Sequence, residues 1–297
     1  MFGIVGEIAG NVFIFVLLAG AAITGIELLW YRLPGKEKNT GKKRIAIITG
    51  ASSGLGKEYV KLTSDKANEI DEIWLVARRL DRLQELAEKL PCKTRCLSLD
   101  LTEDAGIEKL RESLEQQDIR VSILINCAGF GKIGGQGSVT ADEQKGMTEL
   151  NCIAAVAVTD MCVPFMGKGD RIINVCSTAA FQPLQKLSIY AASKAFLLKY
   201  TRALRIELLP RKIMVTAVCP YWIGDTEFIP VAKTPDKGIK HFFFASNAKR
   251  VGNISYKGAM IGFPVITPGV ISTIHRFFSK LFSDTALQYI WEGIRRI

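Results

Sequence analysis

Short, continuous apolar runs alternate with amphipathic stretches along most of this chain. The runs that we interpret as strands lie at 44–49, 73–77, 95–99, 121–125, 171–175 and 213–218. Runs of this length without polar alternation are typical of strands that are buried on both faces. Strands that alternate with helices form a parallel sheet with helices on both sides. The pattern therefore predicts an α/β fold, a doubly wound parallel sheet in a single domain.

The N-terminal pattern is different, because the segment from Ile8 to Leu33 is almost wholly apolar and carries one charge, at Glu27. It is long enough to cross a bilayer as a helix. The lysine-rich stretch "KEKNTGKKR" follows it, whereas "MFGIVGE" before it has no basic residue. By the positive-inside rule, the N-terminus lies outside and the chain after Lys36 faces the cytoplasm. We predict a single-pass N-terminal transmembrane helix, with an anchor over residues 1–35 and a basic linker over 36–44.

Two alternatives to an anchor stay open. A secretory signal peptide is one, since "AGA" at 19–21 resembles a cleavage site. A buried helix of a soluble protein is the other. The net charge of +10 does not predict a nucleic-acid partner, because the basic residues are scattered and their densest run follows the apolar segment. That position favours a membrane surface.

Cysteine and histidine give no sign of a metal site. The seven cysteines are dispersed without a Cys-x-x-Cys motif, which predicts reduced thiols packed as small apolar side chains. The two histidines, His241 and His275, are not near a cysteine or a carboxylate cluster in the sequence. We therefore predict that the protein binds no metal.

The regular alternation ends after Thr226. The stretch 226–265 contains "HFFF" and several lysines and glycines, and we interpret it as a lid over the pocket of a domain that spans 45–265. The remaining segment, 266–297, is amphipathic. It has an apolar stripe formed by Val270, Ile271, Ile274, Phe277, Phe278, Leu281 and Phe282. This stripe either packs on the sheet domain or lies in a membrane interface.

The stretch "TGASSGLGKEYV", from Thr49 to Val60, has the composition of a phosphate-binding loop. It is not a Walker A loop, because five residues separate Gly50 from Gly56 and Glu58 follows Lys57. The spacing of Gly50, Gly54 and Gly56 instead suits a dinucleotide diphosphate at a helix N-terminus. An ordinary strand-to-helix turn is the alternative. The strand before the loop and the helix after it favour a Rossmann-like nucleotide site.

The end of the second strand bears on the choice of dinucleotide. The run "IWLVA" ends at Ala77, where a chain that binds NAD usually has an acidic residue for the ribose hydroxyls. Arg78 and Arg79 follow instead. A guanidinium there can bind a 2′-phosphate through two charge-assisted hydrogen bonds, which favours NADP(H). The alternative is that both arginines are solvated at the start of a helix.

A candidate for proton transfer lies in "YAASK", where Tyr190 and Lys194 are four residues apart and share one helix face. A lysine ammonium beside a tyrosine stabilises the phenolate and lowers the tyrosine pKa. Ser177 lies thirteen residues before Tyr190 at the predicted end of a strand, and Asn151 lies in an earlier helical stretch.

In this order, the motifs resemble those of the short-chain dehydrogenase/reductase family, over about 44–226. Thr49, Gly50, Gly54 and Gly56 match its glycine loop, Asp100 matches its adenine-contacting acid, and "NCAG" at 126–129 resembles its Asn-Asn-Ala-Gly. The resemblance implies a catalytic tetrad of Asn151, Ser177, Tyr190 and Lys194. It implies cofactor contacts at Gly50, Ser52, Ser53, Gly54, Leu55, Gly56, Arg78, Asp100, Leu101, Asn126, Ala128, Gly129, Tyr190, Lys194, Pro220 and Thr226. One departure is Pro220-Tyr221, where the family usually has Pro-Gly.

The resemblance implies an oxidoreductase, and the predicted anchor and Arg78 add that it is membrane-anchored and NADPH-dependent. Its substrate would be a small lipophilic carbonyl or alcohol compound, such as a steroid or a long-chain 3-oxoacyl compound. Tyr190 would donate a proton, Ser177 would hold the carbonyl oxygen, Lys194 would bind the ribose and Asn151 would hold the helix geometry. A homodimer is compatible with the family. The alternatives are a membrane-tethered nucleotide-binding scaffold without activity and an enzyme of different chemistry on the same fold, such as an epimerase.

Overall fold

The computed structural model describes residues 20–33, 41–65, 69–234, 239 and 241–296. Seven strands form one parallel sheet in the order β3-β2-β1-β4-β5-β6-β7. They are β1 Lys43–Thr49, β2 Glu72–Ala77, β3 Thr94–Ser98, β4 Ile119–Asn126, β5 Arg171–Val175, β6 Met214–Val218 and β7 Val265–Ile266. The predicted α/β fold is confirmed, and the six predicted strands agree with the structure to within two residues at either end.

The helices alternate with the strands. In chain order they are α1 20–32, α2 Gly54–Ser64, α3 Leu80–Ala87, α4 Asp104–Glu115, α5 Ala141–Thr148, α6 Ala154–Cys162, α7 Ser188–Leu208, α8 Phe228–Ala232, α9 Ala248–Ile261, α10 Val270–Leu281 and α11 Asp284–Arg296. Apolar residues of α4, α6 and α7 pack on one face of the sheet, and those of α2, α3 and α9 pack on the other.

The core explains why the strands have no polar alternation. Ile45 and Ile47 of β1 belong to the cluster on one face, whereas Ala46 and Ile48 belong to the cluster on the other. All four are completely buried. Burial of one such side chain stabilises the fold by about 1.5–3 kcal/mol, so a polar residue on either face of β1 is costly.

Within the predicted lid over 226–265, residues 248–261 form helix α9, which packs on the sheet. Helix α9 begins after Asn247, whose side chain accepts a hydrogen bond from the backbone N–H of Arg250 at 2.8 Å. Its Val251 and Tyr256 are buried against the sheet, and Ser255 Oγ lies 2.7 Å from Tyr59 Oη of α2. The exposed lysines of α9, and the two glycines within its buried face, obscured this apolar face in the sequence.

Helix α1 packs against the sheet domain. Glu27 forms a 2.5 Å ion pair with Arg205 of α7, and the two side chains are 12% and 3% exposed. Trp30 Nε1 donates to the backbone oxygen of Leu209 at 3.2 Å, and Lys212 Nζ donates to that of Leu33 at 2.6 Å. The C-terminal part of the predicted anchor is therefore fixed to the domain.

The predicted anchor over 1–35 and linker over 36–44 are only partly described, because residues 1–19 and 34–40 lie outside the described residues. Within the described part of the chain, one helical stretch is long and apolar enough to cross a bilayer, Ala141–Phe165. Half of its apolar window is buried inside the domain, and α6 within it packs on the sheet. We therefore interpret Ala141–Phe165 as a core segment.

The two last helices differ in what they bury. The apolar side chains at 270, 274, 277, 278, 281 and 282, on and just after α10, are 44–68% exposed, and Ser272 is the one buried residue of that helix. In α11, by contrast, Leu287 and Trp291 are buried. The α10 stripe therefore does not pack on the sheet domain in the described structure.

Candidate active site

The glycine loop after β1 comes very close to neighbouring backbone. Gly50 has a φ of +69°, and a Cβ on it would lie 2.8 Å from the backbone of Ala128. A Cβ on Gly56 would lie 2.1 Å from the carbonyl oxygen of Gly50. Both positions therefore require glycine. The loop ends at the N-terminus of α2, where backbone N–H groups form a cradle that fits a dinucleotide diphosphate.

The "NCAG" stretch after β4 is held against this loop. Thr49 Oγ1 accepts hydrogen bonds from the backbone N–H groups of Cys127 and Ala128, both at 3.1 Å. Asn126, which we predict to contact the cofactor, is 3% exposed. Its amide donates to Asn174 Oδ1 and Thr159 Oγ1, both at 2.9 Å. Asn126 joins β4 to β5 and α6 beneath the site.

The loops after the strands enclose a cavity of about 630 Å³. Most of the predicted site residues line it. These are Gly50, Ser52, Ser53, Gly54, Leu55, Gly56, Arg78, Asp100, Leu101, Ala128, Gly129, Ser177, Tyr190, Lys194, Pro220 and Thr226. Asn126 and Asn151 are not among the lining residues.

Arginines and one aspartate form the nucleotide end of the cavity. Arg78 is 74% exposed, and its Nη1 lies 3.5 Å from Asp100 Oδ2. Asp100 Oδ1 accepts hydrogen bonds from the N–H of Thr102 at 3.0 Å and from its hydroxyl at 2.7 Å. Burial acts to raise the pKa of Asp100, but these hydrogen bonds outweigh it and hold the pKa below its usual value. Asp100 is therefore an anion that can accept hydrogen bonds from a nucleoside.

Tyr190 and Lys194 lie on α7 at the other end of the cavity. Lys194 Nζ donates to the carbonyl oxygen of Val175 at 2.8 Å and lies 6.0 Å from the centre of the Tyr190 ring. Ser177, just after β5, lines the cavity together with Tyr190 and Lys194. The Ser177 hydroxyl oxygen also accepts from the N–H of Ala179 at 3.1 Å. Three of the four predicted catalytic side chains thus meet in one place.

The protonation of this pair differs from the sequence-based expectation. We expected Lys194 to lower the pKa of Tyr190. Burial is the larger effect and raises the pKa of Tyr190, whereas Ser177 acts to lower it. Burial also lowers the pKa of Lys194. Tyr190 is therefore a neutral phenol, the form that can donate a proton.

Asn151, the fourth predicted residue, lies in a π-helical turn, Glu149–Ile153, between α5 and α6. Such turns are frequent at functional sites. Its Oδ1 accepts from the N–H of Phe130 at 3.1 Å, and its Nδ2 donates to the carbonyl oxygen of Phe130 at 2.9 Å and to Ser193 Oγ at 3.0 Å. Asn151 thus ties the loop after β4 to α7.

Aromatic side chains surround the catalytic end. Phe228 packs on Tyr190 with ring centres 5.3 Å apart, and Trp222 packs on Phe242 at 4.8 Å. Trp291 of α11 also lines the cavity, and its Nε1 donates to the carbonyl oxygen of Gln185 at 3.1 Å. We did not predict Trp222, Phe228 or Trp291, since no local motif marks them. The aromatic run at 242–244 was the one available signal.

All seven cysteines and both histidines lie within the described residues. All seven cysteines are free thiols, four of them buried. Within the described residues no group of three or more His, Cys, Asp or Glu side chains is arranged to hold a metal ion. His275 lines the cavity, where burial lowers its pKa to about 4 and its Nε2 lies 2.8 Å from Gln182 Oε1. It is a neutral polar group in the wall.

Known proteins share this arrangement. The model of the family described as short chain dehydrogenase matches residues 44–234. Mouse 17-beta-hydroxysteroid dehydrogenase type 3 is 27% identical over 255 residues, which cover 80% of this chain and 82% of that protein. The very-long-chain 3-oxoacyl-CoA reductase of Aspergillus terreus is 33% identical over 222 residues, which cover 70% of this chain and 62% of that protein.

Solved structures agree with the fold. A short-chain dehydrogenase from Sphingobium yanoikuyae in complex with NADPH superposes with a TM-score of 0.68 at 27% identity, over 80% of this chain and 93% of that one. A Burkholderia phymatum structure in complex with NAD has the same TM-score at 17% identity. The fold therefore accommodates either dinucleotide. The family match covers more than half of the chain, so this protein belongs to the short-chain dehydrogenase family and is an oxidoreductase that acts on a carbonyl or an alcohol group.

Proposed function

We propose that the protein reduces a carbonyl group on a lipophilic substrate with NADPH. The observation that carries this proposal is the cavity itself, which has Tyr190, Ser177 and Lys194 at one end and Arg78 at the other. A nicotinamide dinucleotide is long enough to join two such ends, and when bound it supplies or accepts a hydride.

The catalytic end supplies the proton. Tyr190 is a neutral phenol in the cavity wall, so its hydroxyl can donate to a carbonyl oxygen as negative charge develops there. Ser177 holds the same oxygen through a second hydrogen bond. The ammonium of Lys194 stabilises the phenolate that remains and binds ribose hydroxyls. Asn151 keeps α7 and the loop after β4 in register for these contacts.

Two features support NADP(H) as the cofactor. Arg78 is exposed at the carboxyl end of β2, and the residue before it is Ala77, not an acidic residue. Asp100 Oδ1 accepts two hydrogen bonds from Thr102, and Asp100 Oδ2 lies 3.5 Å from Arg78 Nη1. The similar Sphingobium structure is a complex with NADPH. We therefore assign Arg78 to the 2′-phosphate.

The aromatic catalytic end supports a lipophilic substrate. Trp222, Phe228 and Trp291 form an apolar wall beside Tyr190. The similar proteins include a hydroxysteroid dehydrogenase and a very-long-chain 3-oxoacyl-CoA reductase. We infer a ketone on a steroid or on a long acyl chain as the substrate class.

We further propose that the protein is a single-pass membrane protein whose catalytic domain faces the cytoplasm. The apolar sequence from Ile8 to Leu33 supports an anchor, and the side chains of Ile23, Ile26 and Leu29 on α1 are 61–67% exposed. The exposed stripe of α10 offers a second apolar surface for the membrane interface. We retain a homodimer as the expected assembly.

Replacing Tyr190 with phenylalanine tests the reaction. The variant loses the hydroxyl and little volume, so NADPH should still bind while turnover falls at least ~10²-fold. Tyr200→Phe is the matched control, since Tyr200 is on the same helix and its hydroxyl lies 3.5 Å from Asp160. NADPH absorbance would be followed with steroid, retinoid, sphingoid and 3-oxoacyl ketones offered to the detergent-purified protein. Near-normal turnover by Tyr190→Phe would remove Tyr190 from the mechanism.

A further inference from the structure

The proposed reaction does not explain one contact at the nucleotide end. Glu227, the residue before α8, pairs with Arg79 and Arg82. Arg79 Nη1 lies 2.9 Å from Glu227 Oε2, and Arg79 Nη2 donates to Ser52 Oγ at 3.2 Å. Arg79 precedes α3, so these pairs connect one wall of the nucleotide end to residues 222–234. We call residues 222–234 the α8 segment.

The α8 segment also lies close to the glycine loop. A Cβ on Gly54 would lie 3.2 Å from the side chain of Thr226, which leaves no gap between the two. A polar cavity of about 500 Å³ lies beside this contact and is lined by residues that include Lys57, Arg82 and Glu227. Glu227 is therefore placed at the rim of the nucleotide end, between two arginines and next to the diphosphate cradle.

We propose that Glu227 is a latch that the 2′-phosphate of NADP(H) releases. This inference rests on the proposed NADP(H) preference. A phosphate bound by Arg78 is also next to Arg79, and it carries about −1.5 to −2 charges, more than a carboxylate. It competes with Glu227 for Arg79 and repels the Glu227 carboxylate. NAD(H) has a neutral hydroxyl at that position and leaves the latch closed.

The latch connects the nucleotide end to the catalytic end. Glu227 precedes Phe228, whose ring packs on Tyr190. Movement of Glu227 away from Arg79 therefore moves the aromatic wall of the catalytic end. Both ion pairs are partly exposed, with side chains 40–45% accessible, so the latch is weak enough for a phosphate to open.

Hydrogen exchange of the full chain in detergent tests the latch. The probes are adenosine 2′-monophosphate and adenosine 5′-monophosphate, with exchange read from peptides within 226–234. In the native chain the 2′-phosphate should speed exchange of these peptides about two- to fivefold, and the 5′-phosphate should leave it unchanged. In Glu227→Gln exchange should already be fast, and the 2′-phosphate should add nothing. This variant should also bind the 2′-phosphate about two- to fivefold more tightly.

Glu108→Gln is the matched control. Glu108 is on α4, lines neither of the two cavities and pairs with Arg111 at 3.2 Å. This variant should match the native chain in hydrogen exchange within 226–234 and in its affinity for adenosine 2′-monophosphate. If the 2′-phosphate binds to the native chain and exchange within 226–234 does not change, the latch is refuted while the NADP(H) preference stands. If the 2′-phosphate binds no more tightly than the 5′-phosphate by calorimetry, the NADP(H) preference fails and the latch fails with it.

Discussion

Replacing Glu27 with glutamine is expected to destabilise the catalytic domain, although Glu27 belongs to the predicted anchor. Its partner Arg205 is 3% exposed and also donates to the carbonyl oxygens of Val215 at 2.6 Å and Gly262 at 2.7 Å. These carbonyls carry no full charge. Glu27 is thus the carboxylate that neutralises a buried guanidinium between α1, α7 and the end of α9.

The size of the effect follows from this burial. Removal of one partner of a fully buried ion pair costs about 3–5 kcal/mol, because the other charge is left uncompensated. The side chain of Glu27 is 12% exposed, and glutamine can still accept one hydrogen bond from Arg205. We therefore expect a loss of about 2–3 kcal/mol. For a domain of this size that corresponds to a fall in Tm of about 4–12 °C.

Thermal unfolding of the detergent-purified full chain measures the loss. Arg205→Met removes the other charge, and the double variant should be more stable than the sum of the two single losses predicts. Glu108→Gln is the control, since its pair with Arg111 is 45–59% exposed and should contribute less than about 1 kcal/mol. An unchanged Tm for Glu27→Gln, or a double-mutant coupling of zero, would show that α1 does not dock through this pair.

The same contact determines where the chain can be shortened. A deletion of residues 1–19 leaves Glu27 and the buried Tyr31 in place, so the domain should keep its Tm. A deletion of residues 1–35 removes both and should unfold at a lower temperature. Comparison of the two truncated chains by the same melting assay separates loss of residues 1–19 from loss of α1.

Three further predictions concern the cofactor, the proton and the substrate. Arg78→Ala removes a charge-assisted contact of about 1.5–3 kcal/mol. The KM for NADPH should therefore rise about ten- to a hundredfold, while the KM for NADH barely changes. An equal rise in both KM values would contradict the assignment of Arg78 to the 2′-phosphate. Burial raises the pKa of Tyr190, so its protonated form persists as pH rises. The kcat/KM for reduction should therefore stay level through neutral pH and fall only above about pH 10. A fall near neutral pH would contradict the assignment of Tyr190 as the proton donor. Along a series of ketones, kcat/KM should rise several-fold for each added carbon until the pocket is full, at about 0.8 kcal/mol per CH₂; a flat profile would exclude a lipophilic pocket.

The sheet and the catalytic end could be predicted because each depends on local sequence. A strand buried on both faces has to be a short apolar run, and the glycines at 50 and 56 are required by contacts below 3 Å. Tyr190 and Lys194 share a helix face by spacing alone. Strand β7 could not be found in this way, because its two residues are too few to form a pattern.

The lid boundary and Asn126 show where local patterns are insufficient. Helix α9 has an apolar face, but its exposed lysines and the two glycines within that buried face are typical of a loop in sequence. Asn126 stands in a motif that suggests contact with the cofactor, yet its amide is used within the sheet. In both cases the deciding partners, Tyr59 for α9 and Asn174 for Asn126, are distant in the sequence.

The same reasoning explains why the substrate end has no motif. The cofactor end must fit a molecule of fixed shape, so its residues recur at fixed spacings. The wall opposite it combines Trp222 after β6, Phe228 of α8 and Trp291 of α11, which come from two separate parts of the chain. An aromatic side chain at any of these places would supply the same apolar surface. Substrate choice can therefore change by substitutions in α8 and α11 that leave Tyr190 and Lys194 untouched.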